Sequence, residues 1–175
     1  MIFRKSKDKD VTSIMEIISH AQEYFKEKEI DQWQNNYPNE DTIKNDIKKD
    51  ASYVLESDGI ILATTALFYE KEEPYTKIDG KWLSEKDYCT IHRLAVKPEE
   101  KGKNLASDIL MFIEYICIEI GIKSIKVDTH TQNYSMRRFL EKNDFIYCGI
   151  IYLEDGSPRV AYEKEIKYVN ITTKK

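Results

Sequence analysis

Basic excess, long apolar runs and an even set of cysteines are all missing from this chain, and each absence closes a class of function. Lysine and arginine number 27 against 31 aspartate and glutamate, a formal net charge of −4. No broad positive field exists to recruit nucleic acid or an anionic membrane, and a charge-selected ligand would be cationic. No apolar stretch approaches the roughly 20 residues that a membrane-spanning helix needs. Met1-Ile2-Phe3-Arg4-Lys5 lacks the apolar core of a secretory leader, so a cytoplasmic location is expected. Cys89, Cys117 and Cys148 form no close pair in sequence and sit among Ile, Tyr and Leu. They read as reduced core thiols, neither a disulfide framework nor a nucleophile. Neither G-x-G-x-x-G nor G-x-x-x-x-G-K-[ST] occurs, which argues against nicotinamide dinucleotides and P-loop nucleotides. His92, Asp128 and His130 follow no standard zinc spacing, and no metal is expected.

What is present is ordinary globular composition, 41% hydrophobic and 33% charged over 175 residues, enough to bury a core. After a short stretch at Ile2–Lys5, a helix starts at Asp8 or Asp10, with Val11, Ile14, Met15, Ile17, Ile18, Ala21, Tyr24 and Phe25 on one stripe. Asn39 or Asp41 caps a second helix to about Lys49. Ser52–Glu56 and Ile60–Phe68 are strands joined by Asp58-Gly59, a tight-turn signal. Polar residues Tyr69–Lys86 read as a loop excursion. The pattern then gives a strand at Tyr88–Val96 and a long helix carrying Leu105, Ile109, Phe112, Ile113, Ile116 and Ile120, closed by Gly121. A strand at Ser124–Thr129, a helix at Asn133–Lys142 and strands at Phe145–Leu153 and Arg159–Ile166 complete it. This order predicts an α/β (α+β) domain over residues 1–168, a mixed central sheet of about six to seven strands flanked by about four helices. A frayed tail is expected at 169–175.

The segment most informative about chemistry runs from Ile91 to Ala106. A strand ends, a small-residue turn follows and a helix begins, leaving consecutive N–H groups without intrahelical partners at the positive end of a dipole. Such a place suits phosphate, with Lys101 and Lys103 adding charge, Gly102 allowing close approach of the main chain and Ala106 keeping the first turn clear. On its own the same segment also reads as a surface turn bearing lysines.

Leu94-Ala95-Val96-x-Pro98-x-x-Lys101-Gly102-Lys103-x-Leu105-Ala106 resembles the acetyl-CoA motif of GNAT acetyltransferases, V-x-P-x-x-R-G-x-G-[IL]-[GA]. Asn133-x-x-Met136-x-x-Phe139-Leu140-Glu141-Lys142-x-x-Phe145 is similar to their N-x-x-A-x-x-[LF]-Y-x-K-x-G-F element, and the order of elements matches along nearly the whole chain. Departures are Lys101 for Arg or Gln, Asn104 for the second loop glycine, Asp144 for a helix-ending glycine and Leu140 for tyrosine. Lys101 keeps the charge without the guanidinium fork, and Asn104 is tolerable in a helical or left-handed conformation.

The resemblance implies the GNAT fold and acetyl-CoA as co-substrate. Pyrophosphate would sit on the amides of Lys101, Gly102, Lys103, Asn104, Leu105 and Ala106. The pantetheine arm would lie along Leu94, Ala95 and Val96, and Asn133 would be a further contact, although Asn133 also reads as a plain N-cap. The implied reaction is direct transfer of acetyl to a primary amine of a small molecule or peptide. A rival is a GNAT-like protein that binds acyl-CoA without transferring it.

His92 is the candidate base: it precedes Leu94 by two, hence shares its strand face, and a histidine stands there in aralkylamine-type members. It also reads as a structural strand histidine. Asp128 and His130 share a face at the next strand's end and are secondary candidates. The family's general-acid tyrosine falls on Leu140; Tyr134, Tyr147 and Tyr152 are the alternatives. Gln32, Trp33 and Tyr37, with Tyr152 and Arg159 near the final hairpin, are the candidate acceptor contacts, Trp33 serving equally as a core plug. Edge pairing through the final hairpin is a route to a homodimer.

Overall fold

The computed structural model describes residues 1–167, so the tail expected at 169–175 lies outside the described residues. Helix α1 (Val11–Glu27) follows a single turn at Asp8–Asp10. Asp10 anchors that turn: its carboxylate accepts from the Lys7 amide at 2.8 Å and from Arg4 at 2.7 and 3.1 Å. Helix α2 (Glu40–Lys48) is capped by Asn39, whose side-chain oxygen accepts from the Thr42 amide at 3.0 Å. Asn39→Ala is expected to cost about 1 kcal/mol, read as a shifted urea midpoint at unchanged slope.

Strand β1 is Ile2–Lys5, β2 Ser52–Ser57 and β3 Ile60–Phe68. The β2–β3 hairpin turns on Asp58 and Gly59 at φ 52° and 80°, the two positive values a two-residue turn of the favoured twist requires. The segment expected to be a loop over Tyr69–Lys86 instead contains a short helix, α3 (Glu73–Thr76), and an edge strand, β4 (Ile78–Gly80). Pro74 starts α3, and Gly80 at φ 140° packs its bare Cα against Gly149, where a Cβ would come within 2.2 Å of the Cys148 carbonyl oxygen. No hydrophobic periodicity announces elements this short. β5 (Tyr88–Val96), α4 (Leu105–Ile120), β6 (Ser124–Thr129), α5 (Tyr134–Lys142), β7 (Ile146–Tyr152) and β8 (Pro158–Glu165) follow.

Among the described residues all the strands join one mixed sheet in the order β1-β2-β3-β5-β6-β8-β7-β4, eight strands where six to seven were expected, with five helices where about four were. Among the described strands only β5 and β6 run parallel. α4 and α5 cover one face, with Ile109, Ile113, Cys117 and Leu140 packed on Leu55, Cys89, Ile91, Ile125 and Tyr162. α1 and α2 cover half of the other, with Ile14, Ile18 and Ile43 on Val54, Ile61 and Ala95. The β3–β5 excursion covers the remaining half through Tyr75, Ile78 and Trp82. All three cysteines are buried and free, and folding brings Cys89 and Cys117 to a Sγ–Sγ distance of 3.4 Å that their sequence spacing did not reveal.

Candidate active site

Two local irregularities in β5 make the site. β5 pairs with β6 only through Tyr88, Thr90 and the residue between them, opposite Ser124–Lys126; beyond that the ladder ends. Farther along, β5 bulges: Ala66 pairs with His92 but Thr64 with Ala95, and Arg93 takes φ 54°. An extra residue at a bulge re-aims the side chains that follow it. His92 therefore stays on the side of Phe68 and Tyr75, whereas Leu94 packs on the α4 side and Ala95 on the α1 side. The simple alternation that would place His92 and Leu94 on one face is broken by Arg93.

Arg93 is locked in this geometry. Its Nε and Nη2 donate to the two Asp46 carboxylate oxygens at 2.7 and 2.9 Å, its Nη1 donates to the Tyr37 hydroxyl at 2.9 Å, and the ion pair is almost fully buried. Burial pushes the Asp46 carboxyl up by more than Arg93 pulls it down.

A cavity of about 1410 Å³ opens where β5 and β6 part, running from the first turn of α4 to the α1–α2 connection. At the α4 end, Lys101, Gly102, Asn104, Leu105 and Ala106 line it together with Leu94, Ala95 and Val96. Gly102 has φ 84° and Asn104 φ 62°, so Asn104 occupies the left-handed conformation that asparagine tolerates among the least strained non-glycine residues. Among the described residues the amides of Gly102, Asn104, Leu105 and Ala106 donate to no other backbone group. The amides of Lys101 and Lys103 are spent on Pro98 and Glu100. Lys103 lies outside the cavity lining, because its ammonium bonds Glu100 one turn back at 3.0 Å.

At the other end, His92 Nε2 meets Glu72 Oε1 at 2.8 Å. Burial pushes the Glu72 carboxyl up, yet the hydrogen bond and charge of His92 outweigh it and hold it below the usual carboxylate range. Asp128 accepts from the Tyr75 hydroxyl at 2.6 Å, and burial together with Asp128 pushes that phenol well up. His130 falls just past the end of β6, outside the lining, and its Nδ1 accepts from the Gln132 amide, so it does not join Asp128 on a shared strand face. Burial, then Arg159, pushes His130 down.

Gln32, Trp33 and Tyr37 line the cavity. Trp33 also packs edge-on against Phe25 at 5.6 Å, so it is both wall and plug. Gln32 Oε1 accepts from Asn133 Nδ2 at 3.0 Å, Thr129 Oγ1 at 3.3 Å and the His130 amide at 3.4 Å, tying the α1–α2 connection to β6. Asn133 caps α5 by accepting from the Met136 amide at 3.1 Å while lining the cavity. Tyr152 lies outside: strand alternation buries Ile151 and turns Tyr152 to solvent. Tyr134 and Tyr147 are likewise exposed and off the cavity, and Leu140 is core, 1% exposed. Sequence reasoning missed Glu72, Tyr75, Asp46 and Arg93. The charged run Tyr69–Pro74 offers no periodicity to single out Glu72, and only backbone geometry reveals the bulge. No group of three His, Cys, Asp or Glu side chains among the described residues is placed to hold a metal ion, and no described helix is long and apolar enough to cross a membrane.

The site is thus a mixed sheet parted between two parallel strands, with unpaired amides at a helix start and the His92–Glu72 pair opening onto one cavity. The acetyltransferase (GNAT) family pattern matches residues 14–145, and the chain belongs to that family and is an acyltransferase. A GNAT-family acetyltransferase from Streptococcus agalactiae is 31% identical, with a TM-score of 0.84 over 96% of each chain. The same fold appears in yncA of Salmonella typhimurium, a putative acetyltransferase solved with its cofactor acetyl-CoA, at 14% identity and TM-score 0.69, covering 97% of this chain and 95% of that one. It appears again in the paiA N-acetyltransferase of Thermoplasma acidophilum in complex with coenzyme A, at 18% identity and TM-score 0.70, covering 94% and 98%. No curated protein matches the chain.

Proposed function

We propose that the protein transfers an acetyl group from acetyl-CoA to a primary amine of a small molecule or peptide, the amine attacking directly while both substrates are bound. The observation that carries this reading is that a single cavity holds both the unpaired amides at the start of α4 and the His92–Glu72 pair. The donor set fits acetyl-CoA. Amides of Gly102, Asn104, Leu105 and Ala106 with Lys101 suit the pyrophosphate, and the free edge of β5 at Leu94–Val96 suits the amide-bearing pantetheine arm. When bound, acetyl-CoA supplies an activated thioester. The remaining chemistry belongs to this chain. His92 takes a proton from the acceptor nitrogen, and Glu72 fixes the imidazole's orientation and supports the charge it gains. The main-chain amide near Leu94 polarises the acyl oxygen. No tyrosine stands at the family's acid position. A thiolate with a pKa on the order of 8–9 leaves without a dedicated acid. Gln32, Trp33 and Tyr37 form the acceptor's wall, with Asp128 an anionic handle for a second ammonium.

Thiol release across a panel of amines tests the reading; tight acetyl-CoA binding with no turnover on any amine overturns it. For the phosphate loop, Gly102→Glu adds both a strained left-handed residue, about 1–2 kcal/mol, and a like charge. It is expected to weaken acetyl-CoA binding by about tenfold or more in calorimetry, with Gly102→Ala, which adds only the strain, falling between. Unchanged affinity in both variants displaces the pyrophosphate from this loop.

A further inference from the structure

The excursion between β3 and β5 is fastened to the sheet by two buried charges. Lys126 of β6 and Glu163 of β8 face each other in register and are 3% and 0% exposed. Charges at that depth are costly unless matched, and both are matched largely by the excursion. Glu163 accepts from the Leu83 amide at 2.6 Å, from the Ser84 hydroxyl at 3.1 Å, and from Ser124 on the sheet. Lys126 Nζ lies 4.0 Å from the ring centre of Trp82 and 3.8 Å from that of Tyr88, a two-sided cation–π seat. Trp82 donates from Nε1 to the Tyr75 carbonyl at 2.9 Å and stacks on the Tyr75 ring at 5.7 Å. Tyr75 then reaches Asp128 and meets the His92 ring edge-on at 6.1 Å, and Glu72 stands just before α3, which carries Tyr75.

Replacing a buried charge pair by apolar residues of similar volume is often neutral or stabilising, so burial of Lys126 and Glu163 is not by itself a stability device. What the charges add is direction: the donors at Leu83 and Ser84 have one carboxylate to reach, and Trp82 has one cation to cover. We infer that Lys126 and Glu163 are positioning residues for the His92–Glu72 pair, clamping the excursion in the one register that delivers Glu72 to His92 and Tyr75 to Asp128. Its catalytic consequence rests on the reading of His92 given above; its structural content does not.

The test uses Lys126→Met, Glu163→Gln and their combination in the full chain. Thermal midpoint, the nitrogen-15 resonances of the His92 ring, kcat and the acetyl-CoA KM are the readouts. The combined variant, which leaves no unbalanced buried charge, should recover most of the midpoint lost by either single change. Its His92 resonances should nevertheless move toward those of Glu72→Gln. Its kcat should fall about 10–100-fold with the acetyl-CoA KM unchanged, and in a Glu72→Gln background the same changes should add little further loss. Trp82→Leu, on the partly exposed excursion, should reproduce the resonance shift if the sheet variants fold poorly. His92 resonances at their parent positions in a folded combined variant, or in Trp82→Leu, overturn the clamp. If His92→Ala leaves turnover untouched, the catalytic reading fails instead, and the ring resonances still decide whether the clamp positions Glu72.

Discussion

His92→Ala is expected to lower kcat by ~10²–10⁴-fold while the acetyl-CoA KM stays near the parent value. An alkylamine is mostly protonated near neutral pH, so transfer needs an acceptor for its proton, and His92 is the only histidine in the cavity on the strand where β5 and β6 part. His20 also lines the cavity, from α1, with its Nδ1 3.7 Å from a Glu23 carboxylate oxygen, and serves as the control substitution. Glu72→Gln keeps the volume and a hydrogen-bonding group but not the charge, so its loss of kcat should be smaller. The same carboxylate makes an acid-side prediction. Its folded-state pKa is depressed, so its contribution to stability is present above the ordinary glutamate value of about 4.3 and is lost as pH falls through the lower folded-state value. The stability gap between parent and Glu72→Gln in urea should therefore be open at neutral pH and closed in strong acid. A gap independent of pH, or His92→Ala at parent kcat, removes the pair from the mechanism.

Asp46→Ala is expected to cost about 3–5 kcal/mol, because it strands the guanidinium of Arg93 in a nearly dry site. At roughly 2–4 °C per kcal/mol for a chain of this size, the melting temperature should fall by about 10 °C. The raised Asp46 carboxyl means that its ionisation opposes folding, a contribution favourable below the ordinary aspartate range and lost as pH rises through the folded value. Replacing Asp46 and Arg93 together by apolar residues should accordingly cost much less than Asp46→Ala alone. Equal costs would mean that the pair, not the stranded cation, sets the loss. Because Arg93 forms the bulge, the single variant should also lose turnover in the fraction that stays folded.

Most of the architecture is legible in the sequence because it is carried by long periodic segments. The α1 stripe, the Leu105–Ile120 face and the turn at Asp58-Gly59 each follow from local spacing, whereas the Lys101–Ala106 loop reads equally as a surface turn until its resemblance to the GNAT motif is added. The excursion is not legible, since a four-residue helix and a three-residue edge strand leave no period to detect. The acid side of the site goes with it: Glu72 and Tyr75 are placed by contacts more than 15 positions away in the chain. A bulge hides in the same way. Arg93 looks like any strand residue, but its left-handed backbone separates His92 from Leu94 and defeats a face assignment based on alternation. Gln32 reads as an acceptor contact because its loop sets Trp33 and Tyr37 among amide side chains, yet its oxygen accepts from Thr129, His130 and Asn133, a convergence only tertiary structure creates.

The parting of β5 from β6 also divides the sheet. The sheet is two four-stranded leaves, β1-β2-β3-β5 and β6-β8-β7-β4, stitched together by three residue pairs. That stitch lies at one end of β5, so the two leaves diverge beyond Thr90 and the cavity occupies the gap between them. Lys126 and Tyr88, both stitch residues, carry the cation–π seat of the excursion, so the residues that join the two leaves are also those on which Trp82 packs.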